Sequence, residues 1–136
     1  MLTTIATEYE FCSAHFLPSV PATHKCRRLH GHNYRLVIGV MGETDPDCTP
    51  EFIADKCPGM IIDFFDLDAI VAPIVKLVDH YCLNDIPGLS NPTAELIASW
   101  FYAKLAGPLH EFPDMFVRVY ETPTCWAEVS KRCVVK

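Results

Sequence analysis

Two long stretches of this chain alternate apolar and polar residues with period two, and each has histidine at the end facing the other. From Thr3 to His15, the residues Ile5, Tyr9, Phe11 and His15 share one face. From His30 to Met41, one face carries His30, His32, Tyr34, Leu36, Ile38 and Val40, while Gly31, Asn33 and Arg35 take the other. Successive side chains of a strand point to opposite faces, so both runs read as strands with one side packed on a core. The remaining elements follow in order. Leu67, Ile70, Val71, Ile74, Leu77 and Val78 fall at helical spacing, with Asp66 as the expected N-cap. Pro73 should kink that helix or displace its start. Asn91 as cap with Pro92 at the first helical position opens a second helix, whose buried stripe is Ile97, Trp100, Phe101 and Leu105. The segments "MFVRVYE" and "CWAEVSKRCVV", divided by Thr122-Pro123-Thr124, form a closing hairpin. The order ββααββ predicts an α+β fold, a four-stranded antiparallel sheet with both helices on one face. Residues 42–59, rich in proline, glycine and acids, read as a long excursion between the second strand and the first helix.

At 136 residues, half of them hydrophobic, the chain is expected to form one domain (1–136) with a true core. No apolar run reaches the ~18 residues of a membrane span. "MLTTIATEYEF" lacks the basic start and apolar stretch of a signal peptide, so a cytoplasmic protein with free thiols is expected. The seven cysteines include no CxxC pair, which argues against a thiolate zinc knuckle. A net charge of −6 argues against nucleic-acid binding.

Against that acidic background, "HKCRRLHGHNYRL" stands apart. It gathers His24, Lys25, Cys26, Arg27, Arg28, His30 and His32 within nine residues. The basic residues form either a local cradle for a polyanionic ligand or an ordinary solvated loop. Two imidazoles at i and i+2 on one strand point the same way, and His15 on the adjacent strand lies on the matching face. Three neutral nitrogen donors with an open fourth position describe a catalytic zinc site; core histidines are the alternative. Cys26 lies between Lys25 and Arg27, and cationic neighbours favour a thiolate, a competent base beside a Lewis acid. Cys12, Cys82, Cys125 and Cys133 read as structural, while Cys48 and Cys57 fall in the excursion. Asp79-His80 pairs a carboxylate with an imidazole it could orient, or simply closes the first helix. Glu95 suits a helix dipole, and Glu121 ends a strand; paired acids of this kind could instead grip a guanidine-like ring edge.

With these residues assembled, the chain resembles the pterin synthase family that includes 6-pyruvoyltetrahydropterin and 6-carboxytetrahydropterin synthases. The likeness rests on "FCSAHFLP", "HKCRRLHGHNY", "GMIIDFFDL", "DHYCLNDIPGLSNPTAE" and "VYET", and it runs over nearly the whole chain. The three residues between Cys26 and His30, together with "LNDIPGLSNPT", make the carboxy branch of the queuosine (7-deazaguanine) route the nearer match. The resemblance implies a tunnelling fold (T-fold) assembled as a homohexamer, a dimer of trimers. It implies Zn2+ on His15, His30 and His32, and Cys26 as proton-abstracting base with Asp79 and His80 supplied by a neighbouring subunit. Glu121 would anchor the pterin with Thr93 and Glu95, and Lys25, Arg28 and His24 would hold a triphosphate. The implied activity is a lyase that converts 7,8-dihydroneopterin triphosphate to 6-carboxy-5,6,7,8-tetrahydropterin with release of acetaldehyde and triphosphate. The pyruvoyl product, or a non-catalytic zinc- or pterin-binding module, are the alternatives.

Overall fold

A computed structural model describes residues 1–44, 59–112 and 114–131. Strand β1 spans Leu2–His15 and β2 spans His30–Glu43, two residues further than the alternation alone indicates. Helix α1 covers Phe64–Val75 and α2 covers Ala94–Leu105; β3 runs Met115–Thr122 and β4 Cys125–Ser130. Short 3-10 turns at Lys25–Arg27 and Leu83–Asp85 punctuate the connections. The strands pair in sequence order, β1-β2-β3-β4, all antiparallel. The expected ββααββ order is the one observed.

The sheet positions the site through the pairing of β1 with β2. Fourteen residues face fourteen without interruption, from Leu2 opposite Glu43 to His15 opposite His30. One face of this pair supplies Phe11, Tyr34, Leu36, Ile38 and Val40 to the core, where Met115, Val117 and Val119 of β3 join them. The helices bring Leu67, Val71 and Val75 from α1, and Ile97, Ala98, Phe101 and Leu105 from α2. Phe11 stacks on Tyr34 with ring centroids 4.9 Å apart and tilts against Phe101 at 5.8 Å. Each such side chain contributes about 1.5–3 kcal/mol on burial, so this face fixes which way β1 and β2 turn their residues.

Both helix starts differ from the sequence expectation. Asp63 caps α1, its side chain accepting the Phe65 N–H at 2.7 Å, and Asp66 lies inside the first turn. Thr93 caps α2 through the Leu96 N–H at 3.3 Å, which leaves Asn91 and Pro92 in the preceding loop. In each case a better-placed side-chain oxygen sits at the junction where the backbone is still extended. Pro73 does not displace the start of α1; it lies inside the helix, which runs only two residues past it. Leu77 lies beyond that end and is exposed, while Val78 is buried. The stripe Ile97, Trp100, Phe101 and Leu105 is buried as expected. Cys12 and Cys125 are exposed and Cys82 is half-buried, and Cys12 Sγ donates to Asn33 Oδ1 at 3.2 Å. Cys48, Cys57 and Cys133, and most of the 42–59 excursion, lie outside the described residues.

The segment after α1 folds back along the open edge of β1. The Ser13 hydroxyl donates to Val78 O at 2.5 Å, the His80 N–H to Cys12 O at 2.6 Å, and the Ala14 N–H to Tyr81 O at 3.1 Å. These bonds satisfy the edge of β1 where it approaches the histidines.

The cap assignment predicts that Asp63→Ala costs about 1 kcal/mol in urea unfolding, with Asp63→Asn returning most of it. Asp66→Ala should cost only about 0.3 kcal/mol, the low end of a first-turn charge effect.

Candidate metal centre and adjoining clefts

His15 ends β1 and His30 begins β2, directly opposite; His32 lies two residues on, opposite Ser13. All three rings therefore stand on the core-facing side, at the end where that side opens to solvent. One nitrogen from each ring lies within 4.8 Å of the others. Ring centroids are 4.6 Å apart for His15–His30, 5.1 Å for His15–His32 and 5.0 Å for His30–His32.

Backbone carbonyls fix which nitrogens face inward. His15 Nδ1 lies 2.8 Å from Pro92 O, and His30 Nδ1 lies 2.7 Å from Arg28 O. A carbonyl only accepts, so each Nδ1 carries the proton, and in the neutral ring Nε2 is a bare lone pair. Those two Nε2 atoms face each other at 3.1 Å. His32 Nε2 is buried without a hydrogen-bond partner; the nearest acid oxygen, Glu121 Oε1, is 3.5 Å away. Burial pushes the imidazoles of both His15 and His32 below their ordinary value, which favours the neutral donor form. Two lone pairs face to face and a third left unsatisfied suit a shared cation. Nitrogens about 2.0–2.1 Å from a tetrahedral zinc stand about 3.3 Å apart, close to the spacing of the His15 and His30 pair. The donor set therefore fits a metal ion held by three imidazoles, with the Nδ1–H of His15 and of His30 each oriented by a backbone carbonyl. Tyr34 closes the core side of the site, edge-on to His15 at 6.0 Å and to His32 at 5.5 Å. Its phenol is pushed far up by burial and secondarily by the Glu121 charge, so it stays protonated.

Cys26 sits on the Lys25–Arg27 turn, half-buried, and lines a cleft of about 440 Å³ with Lys25, Arg28, Leu29, His30, His32, Glu121 and Thr122. The thiol, two cations and two of the imidazoles thus share one space. His24 and Arg27 are engaged elsewhere. The His24 ring caps the turn, Nδ1 accepting the Cys26 N–H at 3.1 Å. Arg27 Nη1 donates to Pro18 O at 2.7 Å and Val20 O at 2.8 Å, tying the turn to the preceding loop. Neither residue lines the cleft.

A second cleft, of about 350 Å³, is lined by Leu17, Thr93, Ala94, Glu95, Glu121, Cys125, Trp126 and Ala127. Thr93, Glu95 and Glu121, expected to act together, do meet here, and Glu121 belongs to both clefts. Asp79 and His80 do not enter either cleft. They stand on the outer edge of β1, where His80 lines a third cleft of about 450 Å³ with Cys12, Asn33, Tyr81 and Cys82. The two side chains bond each other, His80 Nδ1 to Asp79 Oδ1 at 2.9 Å, with His80 in the left-handed backbone region at φ 63°. The Cys12 N–H at 2.9 Å, and then the His80 ring, hold the Asp79 carboxyl below the usual carboxylate range. A carboxylate bonded to an imidazole can orient that ring, and here the pair is turned outward.

Residues absent from the sequence reading are Leu29, Thr122, Cys125 and Trp126 as cleft walls, and the Pro92 and Arg28 carbonyls as ring anchors. Leu29, 64% exposed between Arg28 and His30, is an apolar residue at a mouth, a signal visible only after folding. Backbone carbonyls leave no mark in the residue types.

The chain matches a family model described as 6-pyruvoyl tetrahydropterin synthase over residues 4–132. It is similar to the 6-carboxy-5,6,7,8-tetrahydropterin synthase of a Synechocystis strain, with 43% identity over 102 residues, covering 74% of this chain and 73% of that protein. The enzyme of the same name from Haemophilus influenzae is 27% identical over 145 residues, covering 91% and 96%. Among solved structures, the 6-pyruvoyl tetrahydropterin synthase of Caenorhabditis elegans superposes with a TM-score of 0.78 at 23% identity, covering 97% of each chain.

The depressed histidines give a signed pH prediction for metal-free protein. Between the folded and unfolded values the unfolded chain binds more protons, so stability rises with pH. This part of the stability is present above the ordinary histidine value of about 6.5 and is lost as pH falls through the folded values, so urea midpoints should drop from about pH 7.5 to 6 to 5. A flat midpoint over that range contradicts the assignment.

Proposed function

Because this chain belongs to the 6-pyruvoyl tetrahydropterin synthase family, we propose that it is a zinc-dependent lyase of the 6-carboxytetrahydropterin type. It acts on 7,8-dihydroneopterin triphosphate, leaves 6-carboxy-5,6,7,8-tetrahydropterin, and releases acetaldehyde and triphosphate, a step toward 7-deazaguanine (queuosine) products. The observation that carries this reading is the convergence of three imidazoles, two of which, His30 and His32, line one cleft with a cysteine and two cations. The relative of the carboxy name at 43% identity, and the spacing Cys26-Arg-Arg-Leu-His30, favour the carboxy product over the pyruvoyl one.

Nε2 of His15 and His30 and the unsatisfied Nε2 of His32 are the atoms that would hold the ion. The chemistry a bound zinc supplies is Lewis acidity, which makes hydrogens on carbon beside the substrate's side-chain oxygens easier to remove. Cys26 takes up such a proton, since its sulfur borders the same space as His30 and His32. Glu121 accepts parallel N–H bonds from the guanidine-like edge of the pterin, with Thr93 and Glu95 along the same cleft. Lys25 and Arg28 hold the triphosphate at the mouth, with His24, beside the cleft, as a further donor of that cradle. Its capping bond uses Nδ1 and leaves Nε2 for a phosphate oxygen. Asp79 and His80, turned outward on the edge of β1, serve the Cys26 cleft of a neighbouring copy in a homohexamer built as a dimer of trimers. Such an assembly, in the cytoplasm, gives the outward pair a substrate to work on.

Incubation of the purified protein with 7,8-dihydroneopterin triphosphate, with and without a chelator, tests the reading through acetaldehyde and the mass of the pterin product. Acetaldehyde lost on chelation is the expected result. A pyruvoyl product without acetaldehyde assigns the other branch, and stoichiometric zinc and pterin binding without turnover assigns a binding module. Cys26→Ala should keep its zinc and lose roughly 10²–10⁴-fold in product formation. His30→Ala should lose the metal itself.

A further inference from the structure

The loop between the helices carries a polar clamp that reaches the metal centre without touching it. Asn84 uses both ends of its amide on the residue that follows His15. Its Oδ1 accepts the Phe16 N–H at 3.0 Å, and its Nδ2 donates to Phe16 O at 2.8 Å. The same Nδ2 lies 3.4 Å from Ser90 O, two residues before the carbonyl of Pro92 that receives the His15 Nδ1 proton. One side chain therefore ties down the strand end that bears the ring and the loop that bears its acceptor. Buried Leu83 and Leu89 anchor this loop in the core, yet apolar contacts are not directional and do not set the distance between Pro92 O and an imidazole.

We propose that Asn84 is a positioning residue of the metal centre, fixing the tautomer and orientation of His15 through Phe16, Ser90 and Pro92. The inference rests on the metal site of the proposed function. Residues that orient metal-bound histidines typically influence affinity by about 10- to 100-fold. Asn84→Asp keeps an acceptor for the Phe16 N–H but removes both amide donors, and turns a carboxylate oxygen toward the Phe16 and Ser90 carbonyls. Asn84→Ser removes the clamp without adding charge, and serves if the aspartate variant does not fold. A matched control is Trp100→Phe, which deletes the bond from Nε1 to Pro87 O at 3.0 Å and loosens the same loop at its far side.

Zinc affinity is measured by competition with a chromophoric chelator on the full chain, with the visible spectrum of the cobalt(II) form and the melting temperature of the metal-free form recorded alongside. Asn84→Asp and Asn84→Ser should weaken zinc by about 10- to 100-fold and alter the cobalt spectrum. Trp100→Phe should lower the melting temperature while leaving affinity within about twofold. Wild-type affinity in the Asn84 variants, or losses in all three that follow melting temperature, would overturn the role of Asn84 alone. A wild-type chain that takes up no zinc would overturn the metal centre together with it.

Discussion

The site depends on one register. Because β1 and β2 pair without a bulge from Leu2–Glu43 to His15–His30, the end of one strand and the start of the other present imidazoles to the same side. A slip of one residue would carry His15 to the opposite face together with Phe11, Tyr9 and Ile5. The core is what forbids that slip: Phe11 stacked on Tyr34 sits four residues from His15 and two from His32, on the same face. The packing that stabilises the sheet and the convergence of the ligand atoms are thus one geometric fact.

Around that frame, the backbone does much of the fine placement. Pro92 and Arg28 carbonyls orient two rings, the Cys12 amide holds the Asp79 carboxylate, and His24 caps the turn that presents Cys26. Loops surround the site while strands carry its ligands, which combines a rigid donor set with walls that can differ among relatives. Carbonyl acceptors suit this work because they cannot donate, so they leave the ring with a single neutral tautomer.

Much of this was legible in the residues. Period two gave both long strands and their buried faces, and with them the three histidines; helical spacing gave the stripe of α2. What stayed hidden was of two kinds. Where several residues have similar chemistry, the local pattern cannot choose among them: Asp63 and Asp66 both suit a cap, as do Asn91 and Thr93, and the turn geometry decides. Where a side chain is drawn off by the backbone, its type misleads. Arg27 reads as part of an anion cradle but spends its guanidinium on Pro18 and Val20, and nothing in the residue type of Asn84 marks it as the clamp of a strand end. The family resemblance supplied residue roles that spacing alone left open, and the family match supports it across residues 4–132.

Glu121 belongs to two clefts at once, and its carboxylate stands 3.5 Å from His32, a ring of the three-histidine cluster. Neutralising that charge on one side alters the field on the other. Under the proposed function, occupancy of the two compartments is therefore linked, and linkage is reciprocal: whatever an ion does to the grip on a heterocycle, the heterocycle does to the grip on the ion.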